Sequence, residues 1–227
     1  MMQTALLSTT YFGPIQWYQK LYRYDRVLIE QHESFPKQTY RNRCLIATTQ
    51  GVQALTVPVE HRSMDNGQWT MDNGQCTIKD VRLSDHGNWR HLHWQALQSA
   101  YGDSPFFEYY ADELRLFFEP QWEYLLDFNE AIRAKMCELI DIQPHVAYTT
   151  EYQPETSNFK LQTSNFKFQI SNFKDFRTAI NPKHPAEDPD FQPRRYYQVY
   201  EQKHGFLPNL SILDLLFNMG PESIFYL

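Results

Sequence analysis

The stretch TALLSTTYFGPIQWYQKLY, residues 4–22, changes its hydrophobic period once, and that change decides the fold class. Residues 4–9 suit a buried strand. Tyr11-Phe12-Gly13-Pro14 reads as a turn. From Pro14 the apolar residues Ile15, Trp17, Tyr18, Leu21 and Tyr22 recur at three- and four-residue steps, which predicts a helix with proline in its first turn. Val27-Leu28-Ile29 then predicts a second strand.

Working outward, residues 43–47 and 54–59 predict strands around a turn at Gln50-Gly51. Residues 77–83 alternate apolar and polar, as a half-buried strand does. After Asp85-His86-Gly87-Asn88 the pattern becomes helical: Trp89, Leu92, His93, Ala96, Leu97, Ala100 and Tyr101 form one stripe, with Asn88 as its cap. Residues 108–118 and 121–140 predict two more helices, broken at Phe118-Glu119-Pro120. Residues 196–200 predict a strand, and residues 211–218 a helix with Ser211 as cap and Asp214 in the capping-box position, ended by Gly220-Pro221. These elements predict one mixed α/β domain over residues 1–227. Its strand-rich N-terminal half packs on central helices, and the C-terminal strand and helix close one core.

Two segments stand outside this pattern and read as loop insertions or connectors. Residues 60–76 hold Met-Asp-Asn-Gly-Gln twice, at 64–68 and 71–75. Residues 152–190 hold Ser-Asn-Phe-Lys at 157–160, 164–167 and 171–174, followed by Pro182, Pro185 and Pro189. The seven-residue period is not a coiled-coil heptad, because Phe159, Leu161, Phe166 and Phe168 lie two and five apart rather than three and four.

At 227 residues, with 42% hydrophobic and 21% charged, the chain is neither disordered nor membrane-spanning by composition. A net charge of -6 argues against a nucleic-acid partner held through its phosphates. Cys44, Cys76 and Cys137 form no CxxC pair and read as reduced, buried thiols rather than a zinc ribbon. The N-terminus lacks a basic region and a long apolar run, which reads as cytoplasmic. The usual dinucleotide, NTP, zinc-protease and hydrolase motifs do not occur, and neither a cofactor nor a metal is expected. On a helix His91 and His93 diverge by about 200° and cannot share an ion. Sixteen Phe, 15 Tyr and 5 Trp suit a compact core, or a pocket that stacks on ring faces.

Lys37, Arg41 and Arg43 form the dense cationic patch of the N-terminal half. If residues 41–43 are extended, Arg41 and Arg43 share one face, roughly 6–7 Å apart, a spacing suited to one phosphate or carboxylate. Glu30 and Glu33 are near enough in sequence to neutralise them instead. His93 is either a core histidine satisfied by a hydrogen bond or a general base beside the arginines.

Several separated pieces resemble the WbqC-like protein family. They are Tyr11-Phe12-Gly13-Pro14 with Gln16-Trp17-Tyr18, Tyr40-Arg41-Asn42-Arg43, Leu55-Thr56-Val57-Pro58-Val59, the helix from Trp89 to His93 with Tyr101 and Phe106-Phe107, and Ser211 through Gly220. Two departures are Thr9-Thr10, where the family often has Gln-Pro, and the Ser-Asn-Phe-Lys repeats. The resemblance implies an intracellular bacterial protein with relatives in surface-polysaccharide gene clusters. With the cationic and aromatic cluster, it points to a cytoplasmic transferase that moves a sugar, acyl or aminoacyl group from an anionic donor. In that expectation Arg41, Arg43 and Lys37 hold the donor, Asn42 orients it, Tyr11, Trp17 and Tyr40 wall the pocket, and His93 takes a proton. The alternative is a non-catalytic binding or scaffold protein that accompanies glycan-assembly enzymes, with the same aromatics as core.

Overall fold

The computed structural model describes residues 2–60, 77–154 and 173–227. The Met-Asp-Asn-Gly-Gln copies, Cys76 and the first two Ser-Asn-Phe-Lys copies lie outside the described residues.

The chain is mixed α/β. A four-stranded parallel sheet runs in the order β5 (Val146–Tyr148), β2 (Arg26–Glu30), β1 (Thr4–Ser8), β6 (Phe173–Asp175). β1 is buried along its whole length, as a central strand of a sheet covered on both faces requires. A separate antiparallel hairpin pairs β3 (Arg43–Thr48) with β4 (Gly51–Thr56). The turn residues are Thr49 and Gln50, one position earlier than the sequence suggests, and Gly51 opens β4 at φ 105.

Helix α1 (Ile15–Arg23) follows the turn after β1, with Pro14 extended at its N-cap. Its start is laced to helix α6 (Ile212–Met219): Ile15 N donates to Leu210 O, Ile212 N donates to Gly13 O, and the Ser211 hydroxyl donates to Phe12 O. The two ends of the chain therefore close one core. Helices α2 (Trp89–Tyr101), α3 (Phe107–Arg115) and α4 (Leu125–Leu139) supply its aromatic filling. There Tyr11 stacks on Phe128 and Phe12 on Phe118. Cys44 and Cys137 are free and buried. No helix among the described residues is long and apolar enough to cross a membrane.

Several local expectations are corrected. Residues 77–83 form a 3-10 turn, Ile78–Asp80, and isolated bridges from Arg82 to Tyr124 and from Leu83 to Val59, not a strand. Burial of Ile78, Val81 and Leu83 includes a step of three, which such a turn produces. Leu92 faces outward at 55% exposed, while Trp94 takes a place on the buried stripe of α2. Asn88 does not cap α2: it sits at φ 49, a left-handed conformation that asparagine tolerates. Helix α4 begins at Leu125, not 121, because Tyr124 is extended and bridges to Arg82.

Residues 152–190 are more than a connector. They supply β6 and the buried Phe176, Arg177, Ala179 and Ile180. Asp188 in the same segment pairs with the buried Lys20 at 2.7 Å. Residues 196–200 pair with no strand among the described residues; their alternation survives as side-chain anchoring. The Tyr196 hydroxyl (2.5 Å) and Gln198 Nε2 (2.9 Å) donate to Asp214, whose carboxylate also accepts from Tyr101 at 2.9 Å. Asp214 is thus a buried tie between segments, while Ser211 alone caps α6 by accepting from Leu213 N. Helix α5 (Glu201–His204) follows.

Candidate functional site

The path from β2 to β3 decides where the cationic side chains go. Residues 39–42 are a turn, closed by Asn42 N donating to Thr39 O, and β3 starts only at Arg43. The turn sends Arg41 and Arg43 to different surroundings, so the shared face expected for an extended segment does not form.

Arg41 points inward and is 8% exposed. It donates to both carboxylate oxygens of Glu33, through Nε at 2.7 Å and Nη2 at 2.5 Å, and Nη2 also donates to the Ser8 hydroxyl at 2.7 Å. The buried Glu30 carboxylate beyond it accepts from Thr149 Oγ1 and from the Gln153 and His32 amides. Arg177, held by Asp175, lies 3.9 Å from Glu30. These groups sit at the carboxyl ends of the parallel strands, where they tie β1, β2, β5 and β6 together.

Arg43 points outward. Its Nε donates to Thr56 Oγ1 at 2.9 Å, across the directly paired register of β3 and β4. It lines an open cleft of about 630 Å³ with Lys37, Asn42, Glu60, Ser84 and His86. Asn42 is pinned there: its Nδ2 donates to Val57 O at 2.8 Å, and Val57 N donates back to Asn42 O. Among the described residues neither Lys37 nor Arg43 makes an ion pair. That combination suits an anion with oxygen acceptors, since guanidinium presents a planar fork and ammonium a point charge.

His93 lies behind this wall, 6% exposed, and is not part of the cleft lining. The Tyr11 hydroxyl and His93 Nδ1 share a hydrogen bond of 2.9 Å, and burial raises the phenol well above its ordinary value, so Tyr11 keeps its proton. Burial pulls the His93 imidazole down to about 4, opposed by a backbone hydrogen bond to Thr56. Tyr11 thus contacts His93 in the core, and Thr56 contacts Arg43 at the cleft. Tyr11, Trp17 and Tyr40 are core residues, exposed by 0%, 1% and 7%; the Trp17 indole donates to Ser8 O, and Tyr40 O accepts from Tyr11 N. The structure thus brings Lys37, Asn42 and Arg43 to one cleft wall, and places Arg41, His93, Tyr11, Trp17 and Tyr40 in the interior.

A pH test checks the environment of His93. Its folded value lies below the ordinary 6.5, so the neutral imidazole contributes stability above that pH and loses it as pH falls toward about 4. The difference is about 3 kcal/mol. Urea midpoints taken across this window should fall further for the wild type than for His93→Gln; parallel slopes would contradict the buried, neutral assignment.

His86 and Thr56 were missed as site residues. His86 lines the cleft because the isolated bridge of Val59 to Leu83, and Ser84 N donating to Pro58 O, bring residues 84–86 beside the end of β4. Only the pairing of two segments with weak strand signals could have revealed it. Among the described residues no group of three or more metal-ligating side chains occurs.

The uncharacterized protein Rv1507c of Mycobacterium tuberculosis is 26% identical to this chain over 238 aligned positions, covering 100% of this chain and 98% of that protein. No solved structure matches the chain. The WbqC-like protein family matches residues 9–226, nearly the whole chain, and the chain belongs to that family.

Proposed function

We propose that this protein is a cytoplasmic group-transfer enzyme of surface-polysaccharide assembly. It takes an anionic donor, a nucleotide-activated sugar or an acyl or aminoacyl donor, in the cleft lined by Lys37, Asn42 and Arg43. One observation carries the reading: two cations share an open cleft of about 630 Å³ and, among the described residues, neither is neutralised by a carboxylate partner. A phosphate or carboxylate is the complementary charge.

In this reading His93 is a core residue behind the cleft, hydrogen-bonded to Tyr11, and Thr56 Oγ1 accepts from Arg43 Nε at the cleft wall. Arg41 braces the same turn from inside through Glu33. His86, exposed on the cleft wall, accepts the proton. The acceptor oxygen or nitrogen bonds to the transferred carbon, the bond from that carbon to the donor's leaving group breaks with its electron pair, and the acceptor proton passes to His86.

Thermal stabilisation by nucleotide sugars and by acyl-coenzyme A thioesters tests the donor site. Arg43→Ala should weaken the effective ligand about tenfold or more, the loss of roughly one charge-assisted contact. Stabilisation unchanged in Arg43→Ala would overturn the assignment. The packing of Tyr11, Trp17 and Tyr40 in the core supports a second reading, a non-catalytic binding or scaffold protein of the same assembly. Leaving-group release with candidate acceptors separates the two: turnover supports the enzyme, and donor binding without release supports the binding protein.

A further inference from the structure

We infer a second subsite, for a neutral polyhydroxylated acceptor such as a sugar, in the groove lined by Asp85, Asn88 and Trp89, whose lining interleaves in sequence with that of the donor cleft. The inference rests on the two-substrate reading above.

The two clefts share one turn. Ser84 and His86 line the first; Asp85, Asn88 and Trp89 line the second, which has a volume of about 380 Å³, within the range of small-molecule clefts. Gly87 and Asn88 are successive left-handed residues, φ 79 and φ 49, in the turn that carries side chains of both linings. His86 lines the donor cleft, and its neighbour Asp85 lines the second groove.

The chemistry of the second groove differs from that of the first. Its apolar wall is Trp89, Trp94 and Phe118, with Trp94 against Phe118 at 5.5 Å between centroids. Around that wall stand Arg90, His91, Arg115, Asp85 and Glu119. Arg90 lies over the Trp89 ring at 4.6 Å and pairs with Asp85. Among the described residues, His91, Arg115 and Glu119 form no side-chain hydrogen bond or ion pair, and the Trp94 indole N–H makes no hydrogen bond. Two guanidiniums thus face two carboxylates, and formal charge cancels. A net anion gains little in such a groove. A sugar offers what the lining lacks: hydroxyls that both donate and accept, for Glu119, Arg115, His91 and the indole, and a C–H face for the aromatic wall. In the donor cleft, by contrast, Lys37 and Arg43 exceed Glu60 by one charge.

Tryptophan fluorescence of the full chain, titrated with neutral methyl glycosides of glucose, galactose and N-acetylglucosamine, tests the subsite. A saturable change is expected with at least one of them. Arg115→Met and Glu119→Gln, both at exposed positions, should weaken it about tenfold each, while donor stabilisation measured on the same variants stays at the wild-type level. No saturable change with any glycoside, equal binding by both variants, or tighter binding of glucuronate than of glucoside would overturn it. Donor stabilisation without glycoside binding defeats this inference and leaves the donor reading standing; glycoside binding without any donor stabilisation does the reverse.

Discussion

Replacing Asp214 by alanine is expected to lower the melting temperature by about 10 °C, the equivalent of about 3–5 kcal/mol for a chain of this size. The carboxylate is 1% exposed and joins three parts of the molecule: Tyr101 on α2, Tyr196 and Gln198 on the irregular C-terminal segment, and its own helix α6. Burial raises its pKa, and the hydrogen bonds from Tyr196, Tyr101 and Gln198 oppose that rise; no cation pairs with it among the described residues. Alanine leaves these donors without their shared acceptor, and a buried donor left unsatisfied costs about 1–3 kcal/mol. Asparagine should not rescue the site fully, because its amide N–H₂ would face donors. Scanning calorimetry of both variants measures the effect; a loss of only a degree or two would show that Asp214 is not the tie described.

Arg41→Ala should cost about as much, 3–5 kcal/mol, because it strands the Glu33 carboxylate, 5% exposed, without its guanidinium. The stranded charge, rather than the lost attraction, is the main term. Removing both charges as Arg41→Met with Glu33→Leu should therefore recover most of the loss. Urea unfolding of the single and double variants decides it: a double variant as unstable as Arg41→Ala would mean that the guanidinium does something other than neutralise Glu33. The same comparison separates Arg41, a brace, from Arg43, whose loss should spare stability and weaken the donor.

The fold was legible where period and burial agree. Residues 4–22 read correctly because a buried strand and an amphipathic helix differ in period, and both are long enough to display it. Short elements of the sheet were not legible: β5 and β6 have three residues each, too few to show alternation, and β6 begins inside the third Ser-Asn-Phe-Lys copy, whose repetition suggested a loop. Residues 196–200 alternate as a strand would, yet their inward side chains, Tyr196 and Gln198, bond to Asp214 and not to a neighbouring strand; alternation reports facing, not pairing.

Part of the cleft lining was visible in the same way. Residue types named Lys37, Asn42 and Arg43, and the cleft contains them. The separation of Arg41 from Arg43 depended on one backbone hydrogen bond, Asn42 N to Thr39 O, that no side-chain pattern announces. The placement of Thr56 opposite Arg43 followed from the hairpin register: a two-residue turn at Gln50-Gly51 would pair Arg43 with Pro58, two residues further on, and the observed turn pairs it with Thr56. His93 shows that a histidine on an apolar stripe can be a buried core residue, here hydrogen-bonded to Tyr11 and away from the cleft lining.

We propose that the cleft between the turn before β3 and the end of β4 holds an anionic donor. A crystal structure of the chain soaked with a stabilising nucleotide sugar or acyl-coenzyme A locates that donor. The ligand's phosphates are expected between the Lys37 ammonium and the Arg43 guanidinium, with Arg41 still locked on Glu33. Phosphates found instead beside Arg41 and Arg177, at the carboxyl ends of β1 and β6, would contradict it.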